Sequence, residues 1–471
     1  MNILFLHPNM PGQYRNLLRE LVARKSANVV FLTKQSQIGT PDGMTTVTYK
    51  VPEYEDKGVH RYVRPMQDAA YESQAVWRAC QAIKAKGFVP DIIVGHLGWG
   101  QGLYLKDVFP ETPILSYFEF YYGADRGASN YLPGESLTED DAAKLRTRNA
   151  PHLMNLTYSD LGLCPTYFQQ IQHPPEFFGK MCLLHDGIDT DIAAPSKSRA
   201  KLELQSQHGA LKLGPDDEVI TYIARNLEPY RGFPTFARSV NSILKQRPNC
   251  QLICIGGDEV SYGRKIPEGV TYRQIMAEEV DLSHPRLHFV GRIPYPKLIR
   301  LFQITSAHIY LTVPFVLSWS TLEAMACGAP ILASDCAPVR EVIVDGQNGL
   351  LTDFFDHDLL ADRVSELVAR RSEMAEMCRG ARRDIVAKYA LHSVLPLHVG
   401  LVEAMAKREG LDEALGRISL FNQVNGLGAF HPEKSAIERH DVISAPDGTE
   451  YVPEVEARIK NLLAARNDNR T

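Results

Sequence analysis

Two arginines that follow an apolar run carry the clearest chemistry in this chain. Arg225 and Arg231 stand at the two ends of Arg-Asn-Leu-Glu-Pro-Tyr-Arg-Gly, directly after the predicted strand 219–224. A guanidinium fork matches phosphate oxygens, so two arginines that bracket a turn can hold a diphosphate. A solvated basic loop is the alternative interpretation, and this segment alone leaves both open.

A second candidate segment combines serines, a helix start and a carboxylate. Ser318-Trp319-Ser320 precedes a predicted helix, and Glu323 lies about one turn inside it. A helix start favours phosphate, and a carboxylate suits a ribose diol. The alternative is a buried or capping glutamate in an ordinary helix.

The first half of the chain offers two weaker candidates. Gly12 follows the strand 3–6 in His-Pro-Asn-Met-Pro-Gly, where glycine lets the backbone approach a ligand and a helix start favours anions. His96 ends the strand 92–94, at the sheet edge where sites form. The glycines after it do not fit G-x-G-x-x-G, so they are no dinucleotide fingerprint. An ordinary turn and a structural histidine are the alternatives.

Strands alternate with helical patterns twice along the chain, with a break near residue 195. This order predicts an α/β protein with two parallel sheets. Residues 123–151 are polar and turn-rich and are interpreted as an inserted loop, and residues 197–214 match no core element. From about residue 410 the pattern stops, which predicts a packed extension with a turn at 445–448 and a frayed end.

Composition excludes several classes of protein. The 471 residues carry a formal net charge of −5, which argues against a nucleic-acid binder. The eight cysteines form neither a CxxC pair nor a zinc spacing, so they are interpreted as reduced thiols. The start has no signal-peptide pattern and no stretch suits a membrane span. A soluble, cytoplasmic protein is predicted.

Taken together, the motifs resemble the retaining glycosyltransferases of family 4, which have the GT-B fold. The resemblance covers residues 1–405 and is strongest at 225–232, 290–292 and 323–349, with His185-Asp-Gly-Ile-Asp189 resembling the turn that ends the first domain. It implies two Rossmann-like domains whose parallel sheets face each other across a cleft. The expected boundaries are 1–195 for the acceptor side, 196–390 for the donor side, and 391–471 for a returning helix plus an extension.

The resemblance also implies roles for the candidate residues. Arg225 and Arg231 match the basic pair on the donor diphosphate, with Arg in place of the more usual Lys at the second position. Glu323 matches the carboxylate on the donor ribose, and His96 the histidine near the reacting sugar. The catalytic set is therefore His96, Arg225 and Arg231. The remaining donor-binding expectations are Gly12 near the phosphates, Gly291 and Arg292 beside the base, and Ser318 and Trp319 near the sugar.

One position departs from the family pattern. Phe315 stands where the family has its first glutamate, which usually touches the hydroxyls of the donor sugar. Sugar recognition is therefore expected to differ and to use Ser318 and Trp319, and an inactive relative is left open. Asp189-Thr-Asp191 mimics a metal-binding DxD, but the basic pair can neutralise a diphosphate, so we expect a structural turn and no metal.

The expected activity is transfer of a sugar, with retention, from a UDP or GDP sugar to a glycan or glycolipid, as in polysaccharide biosynthesis. No cofactor or nucleic acid is expected, and peripheral contact with the inner face of the membrane is left open. Glu119, just after the strand 114–117, is a weak candidate for acceptor contact. The alternatives are a non-hydrolysing nucleotide-sugar epimerase, a nicotinamide-dependent dehydrogenase and a non-catalytic nucleotide-binding relative.

Overall fold

The computed structural model describes residues 1–25, 27–36, 39–55, 57–133 and 137–428. The chain forms two compact units. The first holds Met1–Ala124, Leu137–Gly187 and the segment that begins at Leu391; the second holds Ile188–Ala390 and a segment that begins at Asp125. The domain boundaries expected from the sequence stay a prediction. The predicted turn at 445–448 and frayed end lie outside the described residues.

The first unit is built on a seven-stranded parallel sheet. Its strands, with a short additional pair β2 and β4, are β1 (Asn2–Leu6), β2 (Asn9–Met10), β3 (Asn28–Thr33), β4 (Gln35–Ser36), β5 (Met44–Thr48), β6 (Ile92–Gly95), β7 (Ile114–Tyr117), β8 (Leu161–Cys164) and β9 (Met181–Leu183). Its helices are α1 (Arg15–Ala23), α2 (Arg64–Ala85), α3 (Leu105–Val108), α4 (Glu139–Arg148), α5 (Ala150–Tyr158) and α6 (Tyr167–Ile171). The central strands are apolar throughout because both faces of the sheet are covered.

The strand order of the first sheet creates a crevice at its centre. The order is β5-β3-β1-β6-β7-β8-β9, so the chain leaves β1 toward one edge and later returns to its other side with β6. A ligand site in such a sheet forms at this switch point, beyond the carboxyl ends of the strands. His7 directly follows β1 and His96 directly follows β6.

The second unit repeats this arrangement with six parallel strands. Its strands, including an antiparallel hairpin of β10 and β11, are β10 (Leu202–Ser206), β11 (Gly209–Leu213), β12 (Val219–Asn226), β13 (Gln251–Gly257), β14 (Leu287–Gly291), β15 (Ala307–Tyr310), β16 (Ile331–Ser334) and β17 (Leu350–Thr352). Its helices are α7 (Phe233–Gln246), α8 (Tyr272–Ala277), α9 (Tyr295–Ile304), α10 (Trp319–Ala326), α11 (Ala337–Arg340), α12 (His357–Ala369) and α13 (Ala375–Tyr389). The order β14-β13-β12-β15-β16-β17 puts the switch point between β12 and β15.

Two further helices, α14 (Leu391–Lys407) and α15 (Leu411–Val424), complete the first unit. They pack against each other, and α14 also contacts α1 and β6. Buried side chains of α14 and α15 join the apolar core that Phe5 and Phe31 form within the sheet, where the two rings lie stacked with centroids 5.9 Å apart. Among the described helices, none combines the length and apolar character needed to cross a bilayer.

The structure corrects two expectations about secondary structure. Helix α4 lies inside the segment interpreted as a loop; it buries none of its residues, so no apolar periodicity revealed it. The hairpin β10–β11 lies in the segment that matched no core element, and buries Leu202, Leu204 and Leu213. Helix α15 begins the extension expected from about residue 410; it packs on α14 and β9 and buries only Ile418.

Candidate functional site

A pocket of about 270 Å³ opens at the switch point of the second sheet. It lies beyond the carboxyl ends of β12 and β15, where the topology predicts a ligand site. Both predicted arginines line this pocket, together with the first residues of α10. The side chains used below are Arg225, Arg231, Tyr262, Tyr310, Ser318 and Trp319.

A glycine brings the second arginine to the pocket. Arg231 ends a short 3-10 turn that begins at Pro229, and Gly232 then starts α7 with a φ of 67°. A side chain at Gly232 would also overlap Leu311, so the left-handed conformation and the close approach both require glycine. This turn therefore fixes Arg231 against the end of β15.

The Arg231 guanidinium is buried among neutral partners. Its Nη1 donates hydrogen bonds to Thr312 Oγ1 at 2.7 Å, to the Val316 carbonyl at 3.2 Å and to the Tyr310 hydroxyl at 3.4 Å. The centre of the guanidinium lies 5.1 Å from the centroid of the Tyr262 ring. A buried cation without a paired anion is costly, so a bound anion would stabilise it strongly.

The acid nearest in sequence is engaged elsewhere. Glu228 is fully buried, and its carboxylate accepts hydrogen bonds from the backbone amides of Ser261, Tyr262 and Gly263. Three successive amides on one carboxylate hold the 261–263 turn in place. The charge of Glu228 therefore acts on Arg231 without a direct ion pair.

The first arginine is exposed at the pocket mouth. Arg225 is the second-last residue of β12. Its side chain has no hydrogen-bond or ion-pair partner within the described ranges. An exposed cation beside a buried one makes the pocket strongly positive. Such a site attracts anions, and most strongly a group with two phosphates.

The N-terminus of α10 completes the pocket. Ser318 caps the helix in an extended conformation and donates its own amide to the Tyr310 hydroxyl at 2.8 Å. Its hydroxyl lies 2.8 Å from that of Ser320. The first amides of a helix have no partner within the helix, and its dipole favours negative charge there. The predicted residues Ser318 and Trp319 both line the pocket.

The predicted ribose ligand lies one turn further along the same helix. Glu323 is half-buried, and its Oε1 accepts a hydrogen bond of 2.8 Å from the Tyr295 hydroxyl. Burial raises the pKa of this carboxyl above its ordinary value, and the Tyr295 hydroxyl opposes that rise. Glu323 is not part of the pocket lining, so the structure places it beside the pocket.

The predicted base-binding stretch is fixed by a polar network. Gly291 ends β14 with a φ of 63°, and Arg292 follows it. The Arg292 Nη2 donates to Asn226 Oδ1 at 3.0 Å and to Glu259 Oε2 at 2.6 Å. This network ties the end of β14 to the end of β12, next to Arg225.

A cluster of titratable side chains occupies the switch point of the first sheet. The imidazole of His96 is 2% exposed, and its Nε2 lies 3.6 Å from Glu119 Oε2. The His7 ring meets the His96 ring edge-on, with centroids 5.5 Å apart. Burial, and then the neighbouring His96, lower the pKa of His7 to about 4, so His7 is neutral near pH 7.

An acid–phenol pair extends this cluster. The Tyr117 hydroxyl donates to Asp186 Oδ2 at 2.9 Å. Burial raises the pKa of Asp186 to about 7; the Tyr117 hydrogen bond opposes this, and the charge of Glu119 adds to it. Burial and Asp186 also raise the pKa of Tyr14, whose buried hydroxyl has no hydrogen-bond partner among the described residues.

Gly12 lies beside this cluster. It begins a short 3-10 turn with a φ of 55°, and a Cβ there would stand 2.7 Å from the His7 ring. The structure thus brings Gly12, His7, His96 and Glu119 to one edge of the first sheet. Their roles stay predictions.

The DxD-like segment forms a turn. The Asp189 carboxylate accepts hydrogen bonds from the backbone amides of Asp191 at 3.2 Å and Ile192 at 3.1 Å. An aspartate that caps amides two and three residues ahead is typical of an Asx turn. Within the described ranges, no group of three or more His, Cys, Asp or Glu side chains is arranged to hold a metal ion.

Two family models match the chain in succession. The model for the glycosyl transferase family 4 group matches residues 25–193, and the model for glycosyl transferases group 1 matches residues 205–384. Both halves of the chain thus match glycosyltransferase models, the first of them the family 4 group. The two matched ranges follow the two sheets in order, and the first begins after β1, His7 and Gly12.

Curated relatives match a smaller part of this chain. The D-inositol 3-phosphate glycosyltransferase of Mycobacterium avium is 26% identical over 200 residues, which is 42% of this chain and 43% of the relative. That of Streptomyces avermitilis is 24% identical over 221 residues, or 43% of this chain and 45% of the relative. The chain spans less than half the length of these relatives.

Solved structures show the same fold as this chain. Anabaena HepE in complex with UDP-glucose has a TM-score of 0.60 at 13% identity, over 86% of this chain and 100% of HepE. The sucrose-phosphate synthase of Thermosynechococcus elongatus has a TM-score of 0.64 at 17% identity, over 87% of this chain and 100% of the synthase. The GT-B fold expected from the sequence is confirmed.

The departure from the family pattern is accommodated by packing. Phe315 is 5% exposed, and its ring lies against that of Tyr262 with centroids 5.2 Å apart. Tyr262 in turn faces Arg231 in the pocket. Phe315 therefore supports an aromatic wall of the pocket without lining it.

Several site residues had no sequence signal strong enough to find them. Tyr262 and Thr312 reach Arg231 from loops that carry no motif, and Asp186 meets Tyr117 only because β7 and the end of β9 lie near each other in the sheet. His7 could have been predicted. It directly follows the first strand, as His96 directly follows β6, so the sequence places it at the carboxyl edge of the sheet.

Proposed function

We propose that this chain is a retaining glycosyltransferase, which moves a sugar from a nucleotide-sugar donor to a glycan or glycolipid acceptor. One observation carries the proposal. The pocket of the second unit presents an exposed Arg225 and a buried Arg231, and no carboxylate pairs with either among the described residues. A diphosphate supplies the missing negative charge and becomes a good leaving group when these cations bind it.

The second unit is proposed to hold the donor. Arg225, Arg231 and the N-terminus of α10 bind the diphosphate, and Glu323 accepts hydrogen bonds from the ribose hydroxyls. Gly291 and Arg292 lie beside the base. A UDP-type donor is favoured because HepE, which shares the fold, was crystallised with UDP-glucose. A GDP-type donor is the alternative that titration distinguishes.

The proposed reaction retains the configuration of the anomeric carbon. The bond from that carbon to the diphosphate oxygen breaks first, and the arginines stabilise the charge that develops on the diphosphate. The acceptor hydroxyl then attacks from the same face, and its proton passes to the departing diphosphate oxygen. The arginines and the helix start supply the neutralisation of charge, so the scheme includes neither a metal nor a cofactor.

The first unit is proposed to present the acceptor. His96 lies near the reacting sugar, where an imidazole nitrogen can hydrogen-bond to a sugar hydroxyl. Glu119 contacts the acceptor. The place of Gly12 near the donor phosphates, which the resemblance implies, stays a prediction. A glycolipid acceptor would bring the protein to a membrane surface, so the cytoplasmic location with peripheral contact stays a prediction.

The first experiment measures nucleotide binding. UDP and GDP are titrated into the full-length protein, and the shift in thermal unfolding temperature is recorded for the wild type and for Arg225→Ala. We expect one nucleotide to stabilise the wild type, and Arg225→Ala to lose most of that shift because it removes one cation from the diphosphate. Arg379→Ala is the matched control, since that arginine forms an exposed ion pair with Glu376 on α13.

Equal stabilisation of the wild type and Arg225→Ala would refute the role of the arginine pair. Mass spectrometry of products then separates the alternatives. An epimerase converts the nucleotide sugar with no acceptor present, and a non-catalytic relative binds the nucleotide without turnover when acceptors are supplied. Stabilisation by a nicotinamide cofactor in place of a nucleoside diphosphate would favour the dehydrogenase.

A further inference from the structure

An exposed tryptophan stands at the switch point of the first sheet, three residues after His96. Trp99 is 47% exposed, although large apolar side chains are usually covered. Its indole lies parallel to the His96 imidazole, with an interplanar angle of 8° and centroids 5.9 Å apart. The two rings are therefore parallel but offset, and nearly half of the Trp99 side chain is exposed.

The turn that carries Trp99 is tightly fixed. A Cβ on Gly98 would stand 3.2 Å from the His152 ring, and Gly100 has a φ of 102° with no room for a side chain beside Ala69 of α2. The Gly100 carbonyl accepts a hydrogen bond from the buried Ser73 hydroxyl. Two glycines thus press the backbone onto the core, and Trp99 is the side chain that projects between them. A fixed aromatic platform loses little entropy when a ligand covers it.

Polar groups stand beside the platform. Glu119 approaches the same His96 from its Nε2 side at 3.6 Å. The other ring nitrogen, His96 Nδ1, is buried and has no hydrogen-bond partner in the part of the chain that the structure describes. Such an atom calls for a polar group from a ligand or from water. An aromatic face with acceptors at its rim suits the apolar face and the hydroxyls of a sugar ring.

The charge beside this platform disfavours a phosphate. The Glu119 carboxylate lies next to His96, and Asp186 accepts a hydrogen bond from Tyr117 in the same cluster. His7 is neutral near pH 7 because burial lowers its pKa. A phosphate brought beside Glu119 would therefore meet a like charge.

We propose that Trp99 and Glu119 form an acceptor subsite that takes an uncharged sugar ring and rejects the phosphorylated form of the same sugar. The inference rests on the proposed function for the identity of the bound partner as an acceptor. Trp99 stacks on the ring and Glu119 accepts its hydroxyl hydrogens. Specificity against sugar phosphates comes from the Glu119 carboxylate, which acts as a repulsive element.

The test uses ligand-observed NMR on the full-length protein saturated with UDP. The probes are glucose, galactose, N-acetylglucosamine and myo-inositol, each paired with its monophosphate and titrated to millimolar concentration. We expect at least one neutral sugar to bind and its monophosphate to bind at least about tenfold more weakly, since the phosphate would lie beside the like charge of Glu119. Trp99→Ala is expected to abolish this binding and Trp99→Phe to keep part of it.

The control is Tyr158→Ala, which removes a side chain of equal exposure, 47%, from the first unit. It should leave sugar binding unchanged. The inference is overturned by a phosphate that binds more tightly than its neutral counterpart, by unchanged binding in Trp99→Ala, or by no binding of any neutral sugar. The UDP-induced thermal shift is measured on every variant. If the wild type shows no shift, the result counts against the proposed function. If the shift is present but the neutral sugar and its monophosphate bind equally, only the proposed subsite is refuted.

Discussion

The two switch-point sites have the same topology and opposite electrostatics. In each sheet the chain turns from one edge to the other beside the first strand, so side chains after two central strands converge. In the first unit those side chains are His7, His96 and Glu119, with Asp186 nearby. In the second unit they include Arg225 and Arg231. Among the described residues, the side-chain hydrogen-bond partners of Arg231 are neutral.

This contrast separates the role of the fold from that of the side chains. The strand order creates the crevice, and the residues just beyond the strands determine which ligand binds there. The buried Arg231, held by neutral partners, is preorganised for an anion, because no ion pair has to break when the anion binds. The Glu119 carboxylate and the neutral His7 at the other site favour an uncharged, hydroxylated ligand. Changing one charge at either site therefore tests the contrast directly.

The largest effect is expected from removing the buried cation. Arg231→Gln should lower kcat by about a hundred- to a thousandfold, because the diphosphate loses a preorganised charge as the glycosidic bond breaks. Arg231→Lys keeps the charge at a position where the family usually has lysine, and it should stay within about tenfold of the wild type. Steady-state kinetics with saturating donor and acceptor measure both.

Comparable losses in Arg231→Gln and Arg231→Lys would contradict this interpretation. The guanidinium would then matter through its hydrogen bonds to Thr312 and Val316, as a structural residue. Urea unfolding of both variants separates the two cases. A structural role predicts a lower free energy of unfolding in each, whereas the electrostatic role predicts a difference in kcat between variants of similar stability.

A second, smaller effect concerns the stability of the first unit. Asp186 has a pKa of about 7 in the folded protein against 3.8 for the ordinary group, with burial as the main cause. The folded state therefore binds more protons than the unfolded state between about pH 4 and pH 7, and the free energy of unfolding falls as pH rises through this range. Asp186→Asn removes that fall. It should raise the free energy of unfolding by about 1–3 kcal/mol at about pH 8 and leave it nearly unchanged near pH 4.

Urea unfolding at several pH values measures this difference, with Asp358→Asn as the control because that carboxylate is 77% exposed. A destabilised Asp186→Asn at alkaline pH would mean that a cation pairs with Asp186 in solution. The first site would then resemble the second, and the electrostatic contrast between the two units would fail.

The sequence predicted the sheets and the arginine pair for a physical reason. Strands buried on both faces must be apolar throughout, so runs such as 3–6 and 219–224 stand out, and residues directly after them must reach the carboxyl edge. Arg225 and His96 were found in this way. Elements without an apolar face gave no such signal, which is why the polar helix α4 was interpreted as a loop.

The details of the site could not be predicted because they depend on loops that meet only in three dimensions. The neutral partners of Arg231 come from the segment after β15, and Tyr262 comes from the loop after β13. No spacing in the sequence relates these segments. The same holds for Tyr295, whose hydroxyl reaches Glu323 from the start of the neighbouring helix α9.

That contact supplies the smallest effect and the finest test of the cationic site, because Glu323 is an acid beside a pocket that attracts anions. Tyr295→Phe keeps the ring and removes the hydroxyl that donates to Glu323 at 2.8 Å. A hydrogen bond of this kind contributes about 0.5–1.5 kcal/mol, so the affinity for UDP should fall by about two- to tenfold. Isothermal titration measures this loss of affinity.

If Glu323 binds the ribose, the loss should be absent for 2′,3′-dideoxy-UDP and for Tyr295→Phe in a Glu323→Gln background, since the Tyr295 hydroxyl acts only through that carboxylate. An equal loss for UDP and for the dideoxy nucleotide would instead mean that Tyr295 touches the ligand elsewhere and that Glu323 does not read the ribose, leaving the arginines as the main determinant of donor binding in the second unit.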